Sequence, residues 1–171
     1  MLNRPRIEDY VRNLARKLLD GLEYLHSLGI AHRDIKFENI MVSSTEDDAS
    51  PKFIDFGLSK VFLYGEYSQD RFGTLAYSSP EILLGQDHHL GVDIWSIGIM
   101  LYVLLSGTFP FLASDKNMTK RNIVFEKLNF NLTAWKKVSH NAKDTVSWML
   151  EKREQMRPSI AELKQHPWFC T

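Results

Sequence analysis

The stretch of sequence that decides the fold is His32-Arg33-Asp34-Ile35-Lys36-Phe37-Glu38-Asn39. It brings carboxylates, an ammonium group, an imidazole and an amide close together in the chain. An apolar run, Ile40–Val42, follows it, and a second short run at 52–54 leads directly into Asp55-Phe56-Gly57. The link between the two runs is polar and rich in turn-forming residues, so the pattern predicts a β-hairpin. The polar stretch and Asp55 are therefore expected at its two ends.

Helical patterns surround this hairpin. Apolar side chains recur every three or four positions over residues 7–28, which predicts a long amphipathic helix. Gly29 follows as a residue suited to the left-handed conformation that ends helices. Residues 93–105 are apolar on nearly every side and predict a central, buried helix.

The rest of the chain is predicted to be helical with one irregular loop. Residues 58–76 show no clean period and predict a long loop. Further helices are predicted at 122–128, 142–151 and 160–165, with Ser139 as N-cap of the second and a Ser159–Glu162 capping box opening the third. The predicted fold class is mainly α with a small β hairpin, in a single domain over residues 1–171.

The composition excludes several classes of protein. The 171 residues include 21 basic and 21 acidic ones, so no overall field attracts nucleic acid or an anionic membrane. The longest apolar run, residues 94–105, is shorter than the roughly twenty residues that a membrane span needs. The single cysteine, Cys170, cannot form an internal disulfide, and no apolar leader opens the chain. We therefore expect an intracellular, cytoplasmic protein that binds neither nucleic acid nor a membrane.

Three short motifs occur in a fixed order along the chain. The stretch from His32 to Asn39 is followed by Asp55-Phe56-Gly57 and then by Ser79-Pro80-Glu81. Each motif is weak alone, but the three in this order on this scaffold are specific. The chain resembles the protein kinase family, and the resemblance covers almost every residue. It implies the C-terminal lobe of a kinase domain, mainly α, with the β-rich upper lobe absent.

The resemblance implies a role for each member of a candidate site. Asp34 corresponds to the base that orients the incoming hydroxyl, and Lys36 places its ammonium near the transferring phosphoryl group. Asn39 and Asp55 supply oxygen ligands for Mg²⁺. Met41 corresponds to the residue beneath the adenine ring of ATP, supported by Met100 and Leu104 of the central helix. ATP and Mg²⁺ are the implied cofactors.

The resemblance also narrows the substrate class. Lys36 stands where serine/threonine kinases carry a lysine, and Glu38 matches the acidic position that holds an arginine of the substrate. The expected partner is therefore a protein substrate with basic residues near the target Ser or Thr. The C-terminal strings, from Phe130-Asn131-Leu132 to His166-Pro167-Trp168-Phe169, are most similar to the calcium/calmodulin-dependent and calcium-dependent protein kinase group.

Other matches concern the scaffold. His32 and Phe56 resemble a hydrophobic column anchored on Asp93. Glu81 and Arg157 resemble a buried ion pair, and Thr74 resembles a residue that touches Asp34 and Lys36. Arg33 corresponds to a residue that meets a phosphorylated or acidic side chain of the loop that follows Asp55. The candidates for that contact are Glu66, Asp70 and a phosphate on Ser68, and the sequence leaves the choice open.

The departures from the family pattern leave two interpretations. These residues include no Gly-rich loop and no strand lysine of the upper lobe. Under the first interpretation the chain is the C-terminal lobe of an active serine/threonine kinase, its partner is the N-lobe of the same protein, and alone it lacks activity. Under the second it is a non-catalytic docking or scaffold module. In both, an apolar face where the upper lobe would sit predicts self-association.

Overall fold

The first helix lays one apolar stripe against the core. A computed structural model describes residues 4–42 and 50–170. Helix α1 (Arg4–Ser27) contains the predicted stripe, whose inner residues Val11, Ala15, Leu18, Leu19 and Leu22 are fully buried. Gly29 follows with φ +71°, the left-handed conformation expected of a helix stop. The prediction of a helix over 7–28 is confirmed, with its start three residues earlier.

Two small antiparallel pairs of strands follow α1. Strands β2 (Ile40–Val42) and β3 (Pro51–Phe53) form the predicted hairpin, with Ile40 opposite Phe53. The solvated link is predicted over residues 43–51; residues 43–49 of it lie outside the described residues, and Pro51 belongs to β3. Strands β1 (Ile30–Ala31) and β4 (Lys60–Val61) form a second pair, so the expected irregular loop begins with a strand. Two-residue strands leave no alternating pattern, which is why the sequence did not predict this pair.

The remaining helices pack around one central helix. They are α2 (Pro80–Leu84), α3 (Gly91–Ser106), α4 (Lys116–Phe125), α5 (His140–Met149) and α6 (Ile160–Gln165). Helix α3 is buried along most of its length and packs against both α1 and α5, as predicted. A Cβ atom at Gly98 would lie 2.9 Å from the Cβ atom of Met149, so α3 and α5 approach closely only because this residue is glycine. No described helix has both the length and the apolar character to cross a bilayer.

Capping residues set the ends of these helices. Ser139 accepts a hydrogen bond from the amide of Ala142, and Ser159 and Glu162 form the predicted capping box. The prediction of a helix at 122–128 is wrong in its bounds. Helix α4 starts at Lys116 because the Asp115 carboxylate accepts hydrogen bonds from the amides of Asn117 and Met118. Helix α2 was not predicted, since five residues are too few to show helical periodicity.

A buried ion pair ties α2 to the lower helices, as the sequence predicted. Arg157 donates from its two terminal nitrogens to the two carboxylate oxygens of Glu81, at 2.8 and 3.1 Å. Both side chains are almost completely shielded from solvent. Arg157 also donates to the carbonyl oxygens of Gly91 and Glu151. The guanidinium therefore joins three segments of the chain, and the loop that ends at α2 is held against α3.

Replacing Glu81 with Gln is expected to lower the free energy of unfolding by about 3–5 kcal/mol, because it leaves the buried Arg157 cation without its counter-charge. Urea denaturation at neutral pH measures the change. The matched control is Lys164→Gln, which removes a surface ion pair with Asp20 and Glu23 and is expected to cost less than about 1 kcal/mol. Equal losses in the two variants would contradict the special role of the buried pair.

Candidate active site

Four polar side chains converge between β1 and β2. The Asp34 carboxylate accepts a hydrogen bond from the Lys36 ammonium at 2.7 Å and another from the Asn39 amide at 3.0 Å, both at Oδ2. The Asn39 amide also donates to the Asp34 carbonyl oxygen at 2.9 Å. Thr74, from the distant loop before α2, lies 3.2 Å from the Lys36 nitrogen and 3.5 Å from Asp34 Oδ1. The structure thus brings Asp34, Lys36, Asn39 and Thr74 together.

The charge of Lys36 is stabilised within this cluster. Its hydrogen bond to the Asp34 carboxylate raises the pKa of Lys36, and the negative charges of Asp34, Glu38 and Asp55 act in the same direction. Partial burial lowers the pKa of Lys36, but by less than the hydrogen bond to Asp34 raises it. Because the ordinary lysine pKa is already about 10.4, the side chain is a cation throughout the neutral range. The site therefore presents a fixed positive charge beside the Asp34 carboxylate.

The backbone of the stretch is held by a buried carboxylate, Asp93, in the first turn of α3. Asp93 accepts hydrogen bonds from the amides of His32 at 2.8 Å and Arg33 at 2.9 Å. The His26 ring, from the end of α1, lies 3.1 Å from the same carboxylate. Arg33 has φ +69°, a left-handed conformation that is costly for a residue with a Cβ atom. The Asp93 contacts hold this conformation one residue before Asp34.

A buried histidine connects the stretch to the second end of the hairpin. The His32 ring lies 3.1 Å from the Ile54 carbonyl oxygen, and its centroid is 4.8 Å from that of Phe56. The Ile54 amide donates to the Asn39 carbonyl oxygen at 3.0 Å. These contacts place Ile54, the residue before Asp55, next to Asn39, which directly precedes β2. The predicted packing of His32 on Phe56, with Asp93 holding the His32 amide, is present in the structure.

Asn39 and Asp55 present the oxygen atoms that Mg²⁺ prefers. The side-chain nitrogen of Asn39 donates to Asp34, and its side-chain oxygen, Oδ1, has no hydrogen-bond partner within the described part of the chain. Asp55 has φ +62°. Its exposed carboxylate accepts a hydrogen bond from the Gly57 amide and from no other described residue. The described residues contain no cluster of three or more His, Cys, Asp or Glu that could hold a metal. Two hard oxygens fit a Mg²⁺ ion that keeps water and phosphate oxygens as its other ligands.

The structure of the unmodified chain shows which side chain Arg33 contacts in the loop after Asp55. Arg33 donates to the Asp70 carboxylate at 3.1 Å and to the Leu58 carbonyl oxygen at 2.6 Å. Ser68 is buried and donates to the same Asp70 carboxylate at 2.8 Å, whereas Glu66 pairs with Lys60. The hydrogen bond from Ser68, and then the contact with Arg33, hold the pKa of Asp70 below its usual range. In the unmodified chain, Asp70 is therefore the candidate that meets Arg33, and Glu66 is not.

The other predicted site residues lie at the rim. Glu38 is exposed, and Met41 on β2 is more than half exposed at 56%. Met100 is part of the buried core and Leu104 packs against that core, whereas Met41 lies outside it. The adenine role of Met41 and the substrate role of Glu38 stay predictions.

His26 was not identified from the sequence. It lies 67 residues from its partner Asp93 and belongs to a helix that reads as ordinary core packing. Because the contact forms only when α1 packs on α3, no local pattern could have indicated it.

Asp93→Asn is expected to lower the free energy of unfolding by about 1.5–3 kcal/mol for each charged hydrogen bond that is lost. The reason is that the side-chain NH₂ group of asparagine is a donor and cannot accept a hydrogen bond from a backbone amide. Chemical denaturation at pH 7 measures it. The control is Asp20→Asn, an exposed carboxylate on α1, for which a change within about 0.5 kcal/mol is expected. A neutral result for Asp93→Asn would show that the carboxylate does not hold the stretch.

Comparison with known proteins supports what the geometry indicates. The family model described as protein kinase domain matches residues 3–169. The chain is 40% identical over 163 residues to an SNF1-related protein kinase catalytic subunit alpha of Arabidopsis thaliana, covering 95% of this chain and 31% of that protein. It is 41% identical over 156 residues to calcium-dependent protein kinase 11 of Arabidopsis thaliana, covering 91% of this chain and 31% of that protein.

A calcium and calcium/calmodulin-dependent serine/threonine-protein kinase of Oryza sativa subsp. japonica is 38% identical over 153 residues, covering 90% of this chain and 30% of that protein. The chain thus spans about a third of the length of these curated relatives. The match over nearly every residue, together with the cluster around Asp34, shows that the chain belongs to the protein kinase domain family.

Proposed function

We propose that this chain is the C-terminal catalytic lobe of a serine/threonine protein kinase, which transfers the terminal phosphoryl group of ATP to a Ser or Thr hydroxyl of a protein. The observation that carries the proposal is the Asp34 carboxylate, held by Lys36 and Asn39 at Oδ2 and approached by Thr74. Phosphoryl transfer depends on positioning and charge neutralisation, and this cluster provides a positioned base and a fixed cation.

The two oxygens of Asp34 have different surroundings. Oδ2 accepts two hydrogen bonds, whereas Oδ1 has only the long 3.5 Å contact with Thr74. Oδ1 is therefore the oxygen that can accept a hydrogen bond from the incoming hydroxyl and then its proton. The Lys36 ammonium donates to Asp34 and Thr74 and has one remaining hydrogen for a phosphoryl oxygen. Its contact with Thr74 links the same lysine to the loop before α2.

Asn39 and Asp55 would hold Mg²⁺, and Met41 would face the adenine. The metal ion neutralises charge on the β- and γ-phosphates when it is bound with ATP. Asn39 would contribute its side-chain Oδ1, because its side-chain nitrogen donates to Asp34. Asp55 contributes a carboxylate that lies exposed beside the hairpin.

Glu38 would select the substrate. Its exposed carboxylate is four residues from Asp34 and forms no ion pair within the described part of the chain. By resemblance, Glu38 matches the acidic position that holds a substrate arginine in kinases, and an exposed carboxylate can pair with such a guanidinium. The similarity to calcium-dependent kinases concerns the catalytic region, so we propose no calcium site within these residues.

In the full-length protein, Asp34→Asn is expected to lower kcat about 10²–10⁴-fold, because the amide keeps the shape of the carboxylate but cannot accept the proton. A phosphate-transfer assay with Mg²⁺, ATP and a serine peptide bearing arginines measures the loss. Asp20→Asn, far from the cluster on α1, serves as the control and should leave kcat unchanged. Unchanged turnover in Asp34→Asn would overturn the proposal.

The same assay separates the two interpretations of the chain. The 171 residues alone are expected to transfer phosphate at a negligible rate, because they contain no Gly-rich loop or strand lysine to align the phosphates. A full-length protein that is also inactive, with native structure and bound substrate peptide, would favour a docking or scaffold module instead.

The chain by itself is also expected to self-associate. Met41 and Val42 on β2, and Phe56 and Leu58 after β3, are each exposed by more than a third of their surface. Apolar side chains grouped in this way favour association in water. Sedimentation velocity over a range of concentrations measures it, with Met41→Glu and Phe56→Glu expected to shift the distribution toward monomer. A wild-type chain that stays monomeric at high concentration would contradict the expectation.

A further inference from the structure

A completely buried histidine, His88, anchors the segment between Asp55 and Glu81, here called the activation segment (residues 55–81). The backbones of His88 and Ser68 exchange two hydrogen bonds, at 3.1 and 3.0 Å. The His88 ring packs against Phe72, with centroids 5.3 Å apart, and against Phe62 at 6.4 Å. Its exposure is 0%. The middle of the activation segment is thus fastened to the loop that joins α2 to α3.

The hydrogen-bonding pattern of the ring specifies its neutral form. Nδ1 lies 3.3 Å from the Gln86 carbonyl oxygen, which can only accept, so Nδ1 carries the hydrogen. Nε2 is buried and has no hydrogen-bond partner among the described residues. A proton added at Nε2 would therefore create a buried cation with no acceptor, which is costly. The pocket accepts a neutral ring and rejects a charged one.

The charged groups around the ring do not compensate a second charge. Arg33 of the polar stretch disfavours the protonated form, while Asp70 and Glu81 favour it. Asp70 and Glu81 are already paired, with Arg33 and Arg157. Of the flanking residues, His89 packs on Phe62 and the Asp87 carboxylate accepts from Gln69. Burial is the largest cause of the lowered pKa of His88, and Arg33 adds to it.

His88 is connected through Ser68 and Phe72 to Arg33, the residue before Asp34. Ser68, bridged to His88, donates to the Asp70 carboxylate at 2.8 Å, and Asp70 accepts from Arg33. The Arg33 guanidinium also lies 4.3 Å above the ring of Phe72, which packs on His88. Both routes from His88 end at Arg33, the residue before Asp34.

We propose that neutral His88 is a positioning residue that seats the activation segment so that Asp70 meets Arg33 beside Asp34. The inference rests on the proposed function for its consequence in phosphoryl transfer, but the anchoring itself does not. Protonation of His88 releases Ser68 and Phe72, and Asp70 then no longer holds Arg33. The activation segment is therefore bound to His88 at neutral pH and detaches from it in acid.

The direction of the pH dependence follows from linkage. In the open segment His88 titrates near the ordinary histidine value of about 6.5, whereas in the seated segment its pKa is lower. The open state then binds more protons, so the stability of the seated state is complete above about pH 6.5 and falls as the pH drops below it. At pH 5.5 the open fraction rises by up to about tenfold, one pH unit below the free value.

Tryptic cleavage after Arg71, an exposed residue of the activation segment, reports the opening. The initial rate in the full-length protein is divided by the rate on an unstructured arginine peptide in the same buffer, at pH 7.5 and 5.5. Wild type is expected to show a rise of up to about tenfold in acid. His88→Phe, which keeps a ring but cannot take a proton, should show none, and His140→Phe, at an exposed histidine of α5, should keep the wild-type response. A His88→Phe variant with the wild-type response, or a flat wild type, would overturn the proposal.

Two further readouts complete the test. Ring ¹⁵N signals of wild type, followed from pH 7.5 to pH 5.5, should show hydrogen on Nδ1 of neutral His88 and a pKa below the ordinary histidine value of about 6.5. A His88 pKa at or above that value would refute the anchor even if His88→Phe failed to fold. In the phosphate-transfer assay, His88→Phe should flatten the fall of kcat between pH 7.5 and 5.5. Cleavage and NMR require no transfer, so their outcome is independent of whether Asp34→Asn supports the kinase function.

Discussion

The buried carboxylate of Asp93 is the constraint on which the candidate site depends. It lies in the first turn of α3, the helix at the centre of the core, where the helix dipole favours negative charge. A lone buried carboxylate would be costly, but this one accepts the amides of His32 and Arg33 and contacts the His26 ring. In return it fixes the left-handed backbone of Arg33 and hence the direction in which Asp34 leaves the chain. Asp93 therefore attaches the stretch His32–Asn39 to the most buried helix of the core.

The activation segment is held at three places by different physical means. Near its start, Arg33 and the β1–β4 pair hold Leu58 and Lys60. In the middle, the backbones of Ser68 and His88 exchange two hydrogen bonds beside the buried His88 ring. At its end, the Glu81–Arg157 pair depends on opposite charges shielded from water. Of these three contacts only the middle one includes a histidine, the residue type whose charge changes most readily near physiological pH.

Much of the scaffold was predictable from local pattern. Spacing alone identifies several features, because each involves residues only a few positions apart. They are the apolar stripe of α1, the all-round apolar surface of α3, the hairpin and the capping box at Ser159. The errors have equally local causes. Helix α4 was placed too late because the Asp115 cap was not recognised, and α2 and the β1–β4 pair are too short to produce a period.

The sequence by itself determined which side chains are candidates for chemistry, because Asp34, Lys36, Asn39 and Asp55 stand in motifs whose order resembles one family. Only the tertiary structure decided several of the contacts that hold them. In the unmodified chain it selected Asp70 over Glu66 as the contact of Arg33, and it brought His26 to Asp93. These two contacts join residues 37 and 67 positions apart. Such pairings depend on how helices and loops pack on α3, which no neighbouring residue in the chain specifies.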